Sequence, residues 1–267
     1  SRVRGQTYGM FGGRPLVMYT AVANQDEWLT RFGVYVEHVE QEYVVRYADR
    51  IDADTVENAF GWLTEQVGRI AYDGAELTPE KLKLQIRSYY AVRRIVEEKE
   101  LDFVGFKAHG DLTDHFATMD IAEAFLNDPY DFDGPHEPIV AATEEEMDVA
   151  LTMQILKHLS RGESQLFSDV RHYDAGDDVW YLAYSGTHPT LFAGRSKDPA
   201  VNLKRVSLLP EVSYYPAGGA SVQHFAAPGE VTLARLARKD GDYWLAIVPG
   251  TFIEFPEDVA RAKAATT

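Results

Sequence analysis

The sequence predicts an α/β protein: a Rossmann-like parallel-sheet domain with helices, then a mainly antiparallel β domain of barrel or sandwich type. Three observations predict it. Apolar, β-rich runs alternate with helical periodicity through the first 160 residues. That periodicity stops after Leu159, and strand-like runs then follow one another with Gly and Pro between them. The length of 267 residues suits two domains of ordinary size. The expected division is an α/β domain over 1–160 and a mostly β domain over 161–267.

The elements follow in order. Residues 16–22 form an apolar run after the Gly12-Gly13 turn signal and read as a strand. Residues 25–32 read as a short helix, 34–39 as a strand, and 53–70 as helical. Thr78 as N-cap and Pro79 at the first helical position open a further helix. Its Leu82, Ile86, Tyr89, Val92 and Val96 keep helical spacing to about Glu98. Residues 103–106 are a strand, and 121–126 a helix closed by Asn127-Asp128-Pro129. Residues 138–142 are a strand. Thr143 and Glu146 have capping-box spacing for the next helix, which carries Met147, Leu151, Ile155 and Leu159 on one face. Strands are then expected at 165–170, 179–184, 206–209, 221–225, 231–234, 244–248 and 252–255. The Ala-rich end after Asp258 reads as a short helix or frayed tail.

Charge and composition narrow the function classes. Acidic residues number 42 against 26 basic ones, a formal charge of −16. Such a chain lacks the basic stripe that a nucleic-acid binder presents to phosphates, and is not built to dock on anionic lipid. No window approaches the ~18 apolar residues of a membrane-spanning helix. The first residues carry no apolar h-region, which points to the cytoplasm. There is no Cys. Disulfides, thiolate metal sites and a cysteine nucleophile are thereby excluded together.

Three residues are candidates for chemistry on position alone. Glu144 follows the strand at 138–142, and ligands of open α/β sheets bind beyond the carboxyl ends of strands. It could ligate a metal or move a proton; with Glu145 and Glu146 it also suits a first helical turn, where acids complement the dipole. Asp169 lies in a strand run among apolar neighbours, and a buried carboxylate persists as a charge only when paired or metal-bound. Arg171, two residues on and on the same face, is the alternative partner. His224 follows the Gly218-Gly219 turn in a strand and could be a ligand through neutral imidazole, or a structural histidine. His109 and His115 flank Asp111 and Asp114, but no two His have the i, i+4 spacing of a helical zinc site.

Longer motifs add to this. Phe125-Leu-Asn-Asp-Pro-Tyr-Asp, Gly134-Pro-His-Glu-Pro-Ile-Val-Ala-Ala-Thr-Glu, Ala150-Leu-Thr-Met-Gln-Ile-Leu and Leu166-Phe-Ser-Asp-Val-Arg-His-Tyr-Asp resemble the L-fucose isomerase family and its sugar-isomerase relatives. Arg4-Gly-Gln-Thr-Tyr-Gly, Gln85-Ile-Arg-Ser-Tyr, Leu101-Asp-Phe-Val-Gly-Phe-Lys, Gly218-Gly-Ala-Ser-Val-Gln-His-Phe and Pro228-Gly-Glu-Val-Thr-Leu-Ala-Arg-Leu agree as well. The likeness runs along nearly the whole chain, in order.

The resemblance implies a metal-dependent aldose–ketose isomerase acting on a monosaccharide of the L-fucose or D-arabinose kind, through an enediol. It implies a divalent cation, typically Mn²⁺, held by Glu144, Asp169 and His224, with Glu144 and Asp169 as the catalytic pair. Lys107, Ser185 and Gln223 fall where the family contacts substrate; Lys107 stands where some members have glutamine. It also implies a hexamer or trimer with the site between subunits, and a family N-terminal domain that this sequence, beginning at Arg-Gly-Gln-Thr-Tyr, does not contain. The donor set is consistent with the chemistry: two carboxylates and an imidazole suit Mn²⁺. Three alternatives stay open. One is an isomerase of a sulfonated or phosphorylated hexose with Lys107 or Arg171 as the added cation. The second is a non-catalytic sugar-binding or assembly protein, and the third a lyase or hydrolase on the same metal site.

Overall fold

Four short parallel strands form the central sheet of the first half. The computed structural model describes residues 2–211 and 215–264. Along the chain the strands are β1 (Thr7–Phe11), β2 (Tyr35–Val39), β3 (Arg69–Ile70), β4 (Phe103–Phe106), β5 (Tyr130–Asp131), β6 (Gly134–Pro135) and β7 (Ala141–Ala142). After these come β8 (Asp169–Asp174), β9 (Val179–Ala183), β10 (Ser207–Pro210), β11 (Ala220–Gln223), β12 (Gly229–Lys239) and β13 (Asp242–Phe252). The helices are α1 (Gln25–Glu27), which continues as a π-helical turn to Phe32, α2 (Gln41–Ala48), α3 (Ala53–Gln66), α4 (Pro79–Glu98) and α5 (Leu112–His115). They continue with α6 (Asp120–Asn127), α7 (Met147–Leu159), α8 (Leu191–Gly194), α9 (Pro199–Leu203) and α10 (Glu257–Ala264).

The central sheet has the order β2-β1-β4-β7, all parallel. After residue 160 the ladders are β8–β9, β10–β11 and β12–β13, all antiparallel, so the α/β class with an antiparallel later half is observed. β10 also pairs in parallel with β3 from the first half. The sheet is covered on both faces, as parallel sheets are. One face packs Phe11, Val104 and Phe106 with Ile86 of α4 and Phe125 of α6, and takes in Leu203, Val206, Leu208 and Val222 from the later half. The other packs Tyr8, Met10 and Phe103 with Trp28, and with Met147 and Leu151 of α7.

α4 shows why the periodicity was informative. Thr78 accepts a hydrogen bond from Lys81 N (3.2 Å), Pro79 stands at N1, and Leu82, Ile86, Tyr89, Val92, Ile95 and Val96 are buried along one stripe. Each such side chain contributes about 1.5–3 kcal/mol of burial.

Several expectations are corrected. The run at 16–22 makes turns, with Leu16 and Val17 exposed at 62% and 74%. The strand of that region is β1, where Tyr8 and Phe11 are completely buried. The helix expected over 53–70 stops at Gln66, where Val67 turns to extended backbone (ψ 140°) and Gly68 N donates to the Leu203 carbonyl (2.9 Å); beyond it Arg69–Ile70 joins β10. Only Ala141–Ala142 of the 138–142 run is strand. Thr143 does not cap the next helix. Residues Thr143–Glu145 form a 3-10 turn, and Glu146 caps α7 by accepting from Val149 N at 2.8 Å. The 165–170 strand starts only at Asp169, and the 221–225 strand ends at Gln223, one residue before His224. Of the 252–255 run only Phe252 is in a strand. The tail forms α10, and residues 265–267 lie outside the described residues.

Candidate active site

The chain leaves β1 toward β2 on one side, while β4 lies on the other, so the loops after β1 and β4 diverge at the carboxyl edge of the sheet. In open α/β sheets such a switch point is where ligands bind. Gln41, buried at the start of α2, holds this edge. Its Nε2 donates to the carbonyls of Phe11 (3.3 Å) and Lys107 (3.2 Å), and its Oε1 accepts from Leu112 N (3.3 Å). Gly12, with φ of +112°, lies where a Cβ would press on the Gln41 side chain. Above the clamp opens a cavity of about 420 Å³ lined by Arg14, Leu16, Lys107, His109, Gly110 and Asp114.

The loop after β7 delivers Glu144 to the same edge. β7 is pinned by Asn127 at the end of α6: Nδ2 donates to the Ala141 carbonyl (2.8 Å), and Oδ1 accepts from Ala141 N (3.1 Å). Glu144 and Glu145 then both adopt left-handed backbone, φ +55° and +48°. That conformation costs of order 1–3 kcal/mol for a non-glycine residue and persists only where its surroundings impose it. The reversal sends Glu145 inward, fully buried, where burial pushes its carboxyl up to about 8. It leaves Glu144 at the edge, with Oε1 3.1 Å from Nε2 of His109. The sequence places Glu144 in a first helical turn; the turn that carries it precedes the helix.

Two tyrosines complete this wall. The Tyr184 hydroxyl lies 3.3 Å from Thr143 Oγ1, and the His109 ring packs on Tyr215 with centroids 5.4 Å apart. Burial raises both phenols, and the Glu144 charge raises them further, so both stay protonated. The Ser185 carbonyl accepts from the Ser221 hydroxyl at 3.1 Å.

Asp169 begins β8 opposite Ala183, beside Tyr184. Its side chain is 45% exposed and pairs with Arg171 at 3.5 Å. The expectation of a buried carboxylate is therefore corrected, and its partner here is the arginine. His224 lies beyond β11 with Nε2 3.1 Å from the Pro189 carbonyl, while its buried Nδ1 has no hydrogen-bond partner. Burial lowers its pKa and keeps the ring neutral. The His188 ring sits 6.1 Å away, lowered to about 3 by burial and by His224. Gln223 is exposed, with Nε2 3.3 Å from Ser221 Oγ. Lys107 pairs with Asp111 at 2.6 Å.

The structure thus brings Glu144 together with His109, Tyr184 and Tyr215. The partners of Asp169 and His224 are Arg171 and the Pro189 carbonyl, and Phe167, two residues before Asp169, packs edge-on against Tyr184 (4.8 Å). Among the described residues no three His, Asp or Glu side chains are gathered closely enough to hold a metal ion. The donors themselves fit a hard divalent cation: two carboxylates and a neutral imidazole with an orphaned ring nitrogen. Sequence reasoning passed over His109. The signal was available, since His109 follows β4 as Glu144 follows β7 and the same carboxyl-edge rule covers both.

Comparison with known proteins agrees with the motifs. The family model for the second N-terminal domain of L-fucose isomerase matches residues 98–161, and that for its C-terminal domain matches residues 182–267. The chain belongs to the L-fucose isomerase family. It is similar to L-fucose isomerases of Haemophilus influenzae strain PittEE, 26% identical over 96% of this chain and 53% of that protein. It is similar also to that of Vibrio vulnificus YJ016, 26% identical over 66% of this chain and 34% of the relative. The same enzyme of Bacteroides fragilis YCH46 is 26% identical over 64% and 33%. The chain therefore spans about half the length of the Haemophilus influenzae relative, and about a third of the other two. Among the described residues no helix is long and apolar enough to cross a membrane.

Proposed function

We propose that this chain carries the catalytic part of an aldose–ketose isomerase acting on a neutral monosaccharide of the L-fucose or D-arabinose kind. The observation that carries the reading is Glu144: a carboxylate on strained backbone at the carboxyl edge of a parallel sheet, hydrogen-bonded by a residue that lines the cavity at the switch point. Family membership supports it.

The reaction moves a proton between C1 and C2 of the open-chain sugar through an enediol. It needs a base at one carbon and an acid at the other. Glu144 and Asp169 are the proposed pair. Tyr184 and Tyr215, held neutral, can donate hydrogen bonds to the sugar oxygens but cannot compete as bases. Ser185 and Gln223 orient hydroxyls, and Lys107 reaches the cavity from its salt bridge with Asp111. Glu144, Asp169 and His224 would hold a divalent cation, Mn²⁺ by donor type. When bound, it stabilises negative charge developing on O1 and O2.

A neutral sugar is favoured over a sulfonated or phosphorylated one by the cavity's charge balance. Arg14 and Lys107 line it, but Asp111 holds Lys107 and Asp114 lines the same space. Arg171, the other cation available, is engaged by Asp169. Assembly into a homo-oligomer belongs to the same reading. The β12–β13 hairpin leaves Trp244, Ile247 and Val248 more than half exposed, at 62%, 60% and 54%. Incubation of the full chain and Mn²⁺ with a panel of neutral and anionic aldoses, followed by ketose detection, tests the proposal. Ketose from L-fucose or D-arabinose supports it. Turnover confined to anionic sugars, or none, overturns it.

A further inference from the structure

The loops after β4 and β7 meet at one side-chain contact. β4 and β7 are adjacent, with Val104 opposite Ala141 and Gly105 opposite Ala142. Past their ends, Nε2 of His109 lies 3.1 Å from Oε1 of Glu144, with side-chain exposures of only 11% and 19%. A carboxylate oxygen accepts and cannot donate, so the proton of this bond sits on the imidazole. The ring is held from a second direction by Tyr215, and the polypeptide around it by the Gln41 clamp, through the Lys107 carbonyl and Leu112 N. Gly110, at φ +88°, turns the chain immediately after it. His109 also lines the 420 Å³ cavity. It therefore joins the sugar-sized space to the carboxylate proposed to do chemistry.

We propose that His109 is a positioning residue: by donating Nε2–H to Oε1 it fixes the Glu144 carboxylate and leaves Oε2 aimed at cation and substrate. The inference rests on the isomerase reading, and it explains how a side chain on strained backbone keeps one orientation. Outer hydrogen-bond partners of metal-binding groups are worth about 10–100-fold in affinity or activity.

The test uses the full chain and its His109→Ala and His109→Gln variants. Binding of Mn²⁺ alone is read by calorimetry or electron paramagnetic resonance, kcat and KM are read on the best sugar, and thermal melts check folding. Glutamine keeps an N–H donor of similar reach. The expected result is a loss of about 10–100-fold in Mn²⁺ affinity for His109→Ala, with kcat reduced and KM little changed, and recovery of most of both in His109→Gln. Wild-type affinity and kcat in His109→Ala overturn the proposal, as does equal loss in both variants. Wild-type protein that binds Mn²⁺ but isomerises no sugar overturns the functional reading alone, because the three Mn²⁺ affinities still decide the role of His109. Wild-type protein that binds no Mn²⁺ overturns both.

Discussion

Glu144 and His109 are 35 residues apart in sequence and 3.1 Å apart in space, each a few residues beyond the end of one of two adjacent parallel strands. The sheet brings them together. The strands are only two and four residues long, so the accuracy of the contact depends on what holds their ends: Gln41 for the loops after β1 and β4, and Asn127 for β7.

Glu144→Gln and Asp169→Asn, made separately, remove the two proposed proton carriers with little change in volume. Each is expected to lower kcat by about 10²–10⁴-fold while thermal melting stays close to wild type. Normal turnover in both, measured with Mn²⁺ present, removes them from the mechanism.

Gly105→Ala tests the packing beneath the site. A Cβ there would fall onto the Tyr8 hydroxyl and 3.1 Å from Cα of Glu145, both fully buried. Neither can give way without moving β1 or the turn that carries Glu144. Overpacking of this kind costs about 1–3 kcal/mol. Urea denaturation is expected to show that loss, with activity falling further than stability alone explains. An unperturbed variant would mean that the turn is softer than its packing implies.

Arg93→Ala addresses a buried charge away from the site. Asp131 is almost fully buried and receives the Arg93 guanidinium and the Tyr89 hydroxyl from one face of α4. Deleting the arginine leaves that carboxylate short of its cation, at a cost of about 3 kcal/mol. A melting temperature within error of wild type would contradict this.

The motifs that carry the family likeness do structural work that a motif alone does not reveal. In Phe125-Leu-Asn-Asp-Pro-Tyr-Asp, Asn127 pins β7, Asp128 accepts from Thr190 and Leu191 at the start of α8, and Asp131 binds Arg93 and Tyr89. Gln85 of the α4 motif donates to the Ala220 carbonyl (2.9 Å) and accepts from Ala220 N (2.7 Å), which docks β11 on the first half. Elements with strong local signals were legible: α4 by its cap and periodicity, β4 by its apolar run, α6 by its stop. β1 was not, because Gly9 in its middle and burial of both faces from Tyr8 to Phe11 erase the alternation expected of a strand. Glu144 was legible as a strand-end acid. Its left-handed backbone and its bond to His109 were not, since both arise from long-range packing.

Asp128 gives a pH test at a carboxylate that is not itself a proposed cation donor. Burial pushes its carboxyl up to about 7, against donors from Thr190 and Leu191 that pull it down. The native protein therefore holds this proton more tightly than the unfolded chain. The contribution is full below about pH 4 and lost as pH rises through about 7. Asp128→Asn does not titrate there. Its stability penalty in urea is expected to be largest near pH 4 and to shrink by about pH 8. A penalty independent of pH, or one that grows, contradicts the assignment.

The central claim, proton transfer at C2 by Glu144 and Asp169, is tested most directly by solvent exchange. The sugar is incubated with the full chain in deuterium oxide, with and without Mn²⁺, and the C2 proton is followed by NMR. The account predicts deuterium at C2 of the recovered aldose and at C1 of the ketose, dependent on Mn²⁺ and abolished in Glu144→Gln, with the carbon chain intact. Ketose formed with full retention of the original hydrogen, or cleavage of a carbon–carbon bond, would contradict it.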